Sequence, residues 1–148
     1  MKKLGTILLA ENNPQDVELA TEALNEHKLA NKIVHVVDGV EVMEYLNYEG
    51  RFKNREKGDP VVLLLDVKMP RMDGLEVLEA IRSDEKLKTL PVVMLTASRE
   101  EPDLKKCYAL GSNAYVVKPV NFKDFVNAVK HIGVFWGMLN ELPPTEIK

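Results

Sequence analysis

Short apolar runs alternate along the chain with longer segments in which apolar residues recur every three or four positions. The runs are Thr6–Ala10, Ile33–Val37, Val61–Leu65, Val92–Leu95 and Ala114–Val117. Each has strand length, is rich in Val, Ile and Leu, and most are apolar at nearly every position, as expected of strands buried on both faces of a parallel sheet. The segments between them read as helices. Asn13-Pro14 starts the first, Asn as a cap and Pro preorganised for the first helical position, and Val17, Ala20, Ala23 and Leu24 form its apolar stripe. Val40, Met43 and Leu46 mark a second, and Leu75, Leu78 and Ile81 a third that opens after Asp73-Gly74. Ser98 with Glu101 is a capping-box pattern for the fourth, which Gly111 is placed to end. Phe122, Phe125, Val126, Val129, Ile132 and Trp136 mark the fifth after an Asn121 cap. The polar stretch Asn47–Pro60, with Gly50 and Gly58, reads as an extended loop before the third strand.

Five strands and five helices in strict alternation predict an α/β fold, a doubly wound parallel sheet with right-handed crossovers and helices on both faces. In such folds ligands bind beyond the carboxyl ends of the strands, near the point where strand order reverses. The residues that follow each strand are therefore where chemistry is expected.

Those residues form a set. The first strand ends in Glu11-Asn12, the third in Asp66 followed by Val67-Lys68-Met69-Pro70, the fourth in Thr96-Ala97 and the fifth in Lys118-Pro119. Singly, an Asp after a strand is ordinarily a cap, a Thr is merely β-compatible and a Lys is solvated. Jointly, two acids, a hydroxyl and an ammonium on one rim suit a phosphoryl group and a divalent cation. Mg²⁺ prefers hard oxygen ligands, the equatorial oxygens of a phosphoryl in transfer need neutralising, and an Asp carboxylate is competent as nucleophile.

The chain here resembles the receiver domain of two-component response regulators, through ILLAENNPQD, LLLDVKMPRMDG, VVMLTAS and AYVVKPV, over about residues 4 to 135. The motifs keep their order and spacing, Thr96 lying 30 residues and Lys118 lying 52 residues after Asp66. The resemblance implies a flavodoxin-like sheet of strand order 2-1-3-4-5. It implies that Asp66 is the phospho-acceptor, that Glu11, Asn12, Asp66 and the backbone carbonyl of Lys68 hold Mg²⁺, and that Thr96 bonds the phosphoryl group. It also implies that Lys118 pairs with that group before a cis Pro119, and that Tyr115 is the aromatic that rotates inward when Thr96 moves. Lys68 and Ser98 would flank the path of the attacking water. The Asn47–Pro60 insertion and the tail HIGVFWGMLNELPP are similar to the phytochrome-associated response regulators, stand-alone receivers that partner light-sensing histidine kinases and often dimerise. The partners so implied are a histidine kinase, a downstream protein and a second copy of the chain, with Phe135-Trp136 packing the last helix or forming the dimer face.

One position departs from the pattern. Asn12 stands where family members usually carry a second acid. A unit-charge interaction at about 4 Å is worth roughly 1 kcal/mol in water and about 4 at an effective dielectric of 20, so Mg²⁺ binding ten- to several-hundredfold weaker is expected. Asn12 also keeps open a second reading, a receiver-fold binding module that takes no phosphate. An enzyme or flavoprotein reading fits less well. A dehalogenase-type phosphatase wants an Asp where Lys68 stands, and an FMN binder wants a Ser/Thr/Gly-rich loop where ENNPQD stands.

Composition narrows the remaining classes. The 148 residues suit one domain, expected to span the chain with a core at about 4–140 and no output domain. Hydrophobic residues at 45% supply a core, and a net charge of -3 gives no electrostatic reason to expect nucleic acid. Cys107 is the single cysteine, which excludes an internal disulfide and a Cys-based metal cluster. His27, His35 and His131 show no ligand spacing and read as surface or structural. No apolar run reaches the roughly 20 residues of a membrane span, and the N-terminus turns polar after about ten residues without a cleavage site, which favours a first strand over a signal peptide. A cytoplasmic protein is expected.

Overall fold

The computed structural model describes residues 5–26, 32–97 and 104–131. Strands β1 (Thr6–Ala10), β2 (Lys32–Val36), β3 (Val62–Asp66), β4 (Val92–Thr96) and β5 (Ala114–Val117) alternate with helices α1 (Pro14–Glu26), α2 (Gly39–Leu46), α3 (Gly74–Arg82), α4 (Leu104–Ala109) and α5 (Phe122–His131). All pairings are parallel and the order is β2-β1-β3-β4-β5. The sheet is the expected one, with its reversal between β1 and β3.

Period-two alternation divides the core into two layers. Leu8, Ala10, Leu63, Leu65, Val92 and Met94 pack beneath α2, α3 and α4, against Val42, Val77, Leu78, Ile81 and Cys107. Ile7, Leu9, Val62, Leu64, Val93, Leu95 and Val116 pack on the other face against Ala20 and Leu24 of α1 and Phe125 and Ala128 of α5. The central strands β3 and β4 are buried at every position, whereas the edge strands β2 and β5 are only partly so. Continuous apolar runs therefore mark the centre of the sheet.

Several expectations need adjusting. β2, β3 and β4 are each displaced or extended by one residue, so that Asp66 and Thr96 close their strands instead of following them. The buried face of α2 is Gly39, Val42, Tyr45 and Leu46, with Val40 and Met43 only half-buried. Asp38 sets that face by capping the helix through the Glu41 N–H at 2.9 Å, with Gly39 pressed on the Met72 carbonyl, where a Cβ would collide. The insertion at 47–60 is not an extended loop. It holds a 3₁₀ turn at Gly50–Phe52, whose Phe52 is buried edge-on to Tyr45 at 5.0 Å, while the Arg55 guanidinium lies 3.9 Å and 4.0 Å from the Tyr45 and Tyr48 ring centres. Aromatic residues spaced along a polar stretch let it pack on α2. α3 opens on a full capping box between Asp73 and Glu76. Ser98, Glu101, His27, Ile132, Phe135, Trp136 and the tail lie outside the described residues.

Candidate functional site

The alternation that builds the core also places the chemistry. Continued past the last apolar residue on the α1/α5 side, Ile7 and Leu9 lead to Glu11, Val62 and Leu64 to Asp66, and Val116 to Lys118. The ladder runs on far enough to hold this register, since Glu11 donates its N–H to the Val36 carbonyl at 3.1 Å and Lys118 to that of Thr96 at 2.7 Å. The three side chains meet. Lys118 Nζ lies 3.2 Å from Glu11 Oε1 and 3.3 Å from Asp66 Oδ1. They line a cavity of about 410 Å³ with Asn12, Asn13, Pro14, Asp16, Val67, Lys68, Leu95 and Ala97.

Thr96 is of the opposite parity. It is buried at the end of β4, on the side of Met94, and is not part of the cavity wall, which β4 supplies through Leu95 and Ala97. Tyr115 packs half-buried against the same α2–α4 layer, with its ring edge-on to the exposed Tyr108 at 6.2 Å. The Lys118–Pro119 bond is cis, as the resemblance implied.

The loops around the cavity are pinned. Gly74 donates to the Val67 carbonyl at 2.9 Å, and a Cβ on Gly74 would strike the Asp66 carbonyl oxygen. Arg71, in the left-handed region at φ 64°, pairs with buried Asp38 at 2.7 Å and joins the loop after β3 to the start of α2. His35 Nε2 donates to the Glu11 carbonyl at 2.7 Å, so the backbone of Glu11 is held to β2 on both sides. His35 was expected to be surface or structural, and its role here is structural at the site. Asp16 also reaches in, with Oδ2 3.3 Å from Lys118 Nζ. Neither contact is evident from residue spacing, although Asp16 sits three residues after the Asn13 cap, on the turn of α1 that must lie over the end of β1.

Burial pushes the Asp66 carboxyl up to about 7, and the adjacent Glu11 carboxylate adds to the rise while Lys118 opposes it. Burial alone would lower Lys118, but the Asp66 and Glu11 carboxylates outweigh it and hold its ammonium charged. When both are ionised, two buried acids facing one ammonium leave an excess of negative charge, which a small divalent cation would relieve. The donors are all hard oxygens: the Glu11 and Asp66 carboxylates, with the Asn12 amide and Lys68 backbone oxygens as neutral additions. That chemistry fits Mg²⁺ or Mn²⁺. Among the described residues no three His, Cys, Asp or Glu side chains form a ready metal cage, so such a cation would depend on the neutral oxygens and on water. Among the described residues, too, no helix is long and apolar enough to cross a membrane.

Comparison with known proteins agrees with this geometry. The family model of the response regulator receiver domain matches residues 7–130. Response regulator Rcp1 of Synechocystis sp. is 36% identical over 130 residues, covering 88% of this chain and 87% of that protein. The structure of the bacteriophytochrome response regulator AtBRR superposes with a TM-score of 0.86 at 52% identity, covering 95% of this chain and 100% of that one. The Mn²⁺-bound form of Rcp1 superposes with a TM-score of 0.72 at 35% identity, covering 94% and 99%.

Proposed function

Because the chain belongs to the response regulator receiver domain family, we propose that it is a phospho-accepting switch of a two-component system with Asp66 as its acceptor. The observation that carries this is the convergence of Lys118 on Asp66 and Glu11, residues 52 and 107 positions away in sequence, within 3.3 Å. The proposed domain spans the chain.

The Asp66 carboxylate attacks the phosphorus of a phosphohistidine on a histidine kinase. The O–P bond forms as the P–N bond breaks; the bonding pair goes to the imidazole nitrogen, which takes a proton from water and leaves as neutral imidazole. The product is an acyl phosphate on Asp66. Glu11, Asn12, Asp66 and the Lys68 carbonyl would hold Mg²⁺, which when bound would neutralise the phosphoryl oxygens. Lys118 supplies the second positive charge and stays protonated because its acidic neighbours hold it so. Burial keeps bulk water away from Asp66, whose side chain is 6% exposed. Thr96 then bonds the phosphoryl oxygen, and Tyr115 follows it, altering the α4–β5 surface read by a downstream protein. The kinase is proposed to be phytochrome-like, on the strength of the 52% identity to the bacteriophytochrome response regulator AtBRR, and the protein to act in the cytoplasm.

Intact mass after incubation with acetyl phosphate and Mg²⁺ tests the proposal. One phosphoryl group added to the wild type, and none to Asp66→Ala, is the expected result. Asn12 alone favours the second reading, a receiver-fold binding module. No adduct on wild type with an adduct on Asn12→Asp would establish that reading in place of the first.

A further inference from the structure

Lys118 meets three carboxylates, and the proposed function uses only two of them. The third, Asp16, comes from the first turn of α1. Local sequence puts it there: Asn13 and Pro14 start the helix, and Asn13 Oδ1 accepts the Asp16 N–H at 3.0 Å. The backbone of Asp16 is thus fixed by the cap, and its half-buried side chain turns inward to stand 3.3 Å from the Lys118 ammonium. It lines the same cavity as Asp66 and Asn12.

A charge count shows what this contact does. Glu11 and Asp66 carry two negative charges when ionised, Asn12 adds none, and Lys118 cancels one. A divalent cation would then meet a single net negative charge. We infer that Asp16 is a positioning residue that makes good, from the first turn of α1, the charge absent at Asn12. It acts in two ways of the same sign. It holds the Lys118 ammonium partly on the α1 side, so that this charge is shared among three acids and neutralises Glu11 and Asp66 less. It also adds its own negative charge to the field at the cation. Asp16 acts through Lys118 and through space, not as a ligand, consistent with the lack of a three-acid cage among the described residues. The cationic side chains that line the same cavity are Lys118 itself and the exposed Lys68.

This rests on reading the cavity as a cation and phosphoryl site, and the test separates the two. Mg²⁺ is titrated calorimetrically into wild type, Asp16→Asn, Asp16→Glu, Asn12→Asp and the double variant Asp16→Asn/Asn12→Asp. Asp16→Asn is expected to weaken Mg²⁺ binding about tenfold, the scale of one partly screened charge. Asp16→Glu should retain most of the affinity, and the double variant should bind at least as well as wild type because the lost charge returns at position 12. Wild-type affinity in Asp16→Asn would overturn the inference. So would a loss that neither Asp16→Glu nor the double variant recovers, which would make Asp16 a structural residue of α1. If wild type and Asn12→Asp alike bound no Mg²⁺, the cation-site reading itself would fall, and this inference with it.

Discussion

Replacing Asp66 with Asn should make the metal-free protein more stable, by an amount that grows with pH. In the unfolded chain Asp66 loses its proton near the ordinary 3.8, whereas in the folded protein burial and the Glu11 carboxylate hold the proton up to about 7. Between those values the unfolded state releases a proton that the folded state keeps, so raising the pH favours unfolding. Each pH unit is worth about 1.4 kcal/mol, which caps the penalty at about 4 kcal/mol above pH 7. The side chain is only 6% exposed, so solvent screening reduces this little. Asn carries no such penalty but leaves Lys118 with one charged partner fewer, so a net gain of about 2–4 kcal/mol is expected at pH 8. Urea unfolding of both proteins in chelator-treated buffer from pH 4 to 8 measures this, with unchanged slopes confirming that midpoint shifts report stability. The two curves should agree near pH 4, diverge through neutrality and run parallel above about pH 7. Saturating Mg²⁺ should raise the wild type and leave Asp66→Asn nearly unmoved. A difference that is flat across the range, or an Asn variant that is weaker at pH 8, would refute the claim that Asp66 is held protonated by its surroundings.

Asn12→Asp should bind Mg²⁺ at least tenfold more tightly than wild type, by calorimetric titration, since it adds a full charge to the pocket. Gly74→Ala should cost about 1–3 kcal/mol in urea unfolding and slow phosphorylation by acetyl phosphate, because the new methyl displaces the Asp66 carbonyl. Asp38→Ala removes the cap on α2 and the partner of Arg71, at a cost of about 1–2 kcal/mol at pH 7. Burial raises Asp38, but Arg71 and the Glu41 N–H outweigh it and hold the carboxyl below 3.8, so this stabilisation is present above pH 3.8 and is lost as pH falls below it. Matched unfolding curves at pH 7 and pH 3 check both statements.

The sheet and the acid–ammonium pocket were legible because they rest on local rules. Val62 to Leu65 can only be a doubly buried strand, and a charged residue at its end must face the cavity beyond it. The placement of Asp66 and Thr96 on opposite faces was legible in principle too, since parity dictates it, although strand ends displaced by one residue blurred it. Contacts between distant loops carried no such pattern. Arg71 finds Asp38 across 33 positions, and His35 finds the Glu11 carbonyl only once β2 is registered against β1. The 47–60 insertion misled for a different reason. Its composition is polar, but Phe52 and the tyrosines flanking Arg55 give it a small core of its own.

The two-layer core bears on traffic at the protein's surface. By strand parity Glu11, Asp66 and Lys118 continue the layer beneath α1 and α5, whereas Thr96 continues the layer beneath α2, α3 and α4, in which Tyr115 packs. On the proposed function, a signal written at Asp66 and read through Thr96 would cross the plane of the sheet. The residues proposed to write and to read the signal then lie in different layers of the core. A receiver so built would let one layer take up the phosphoryl group and the other carry its effect to the surface.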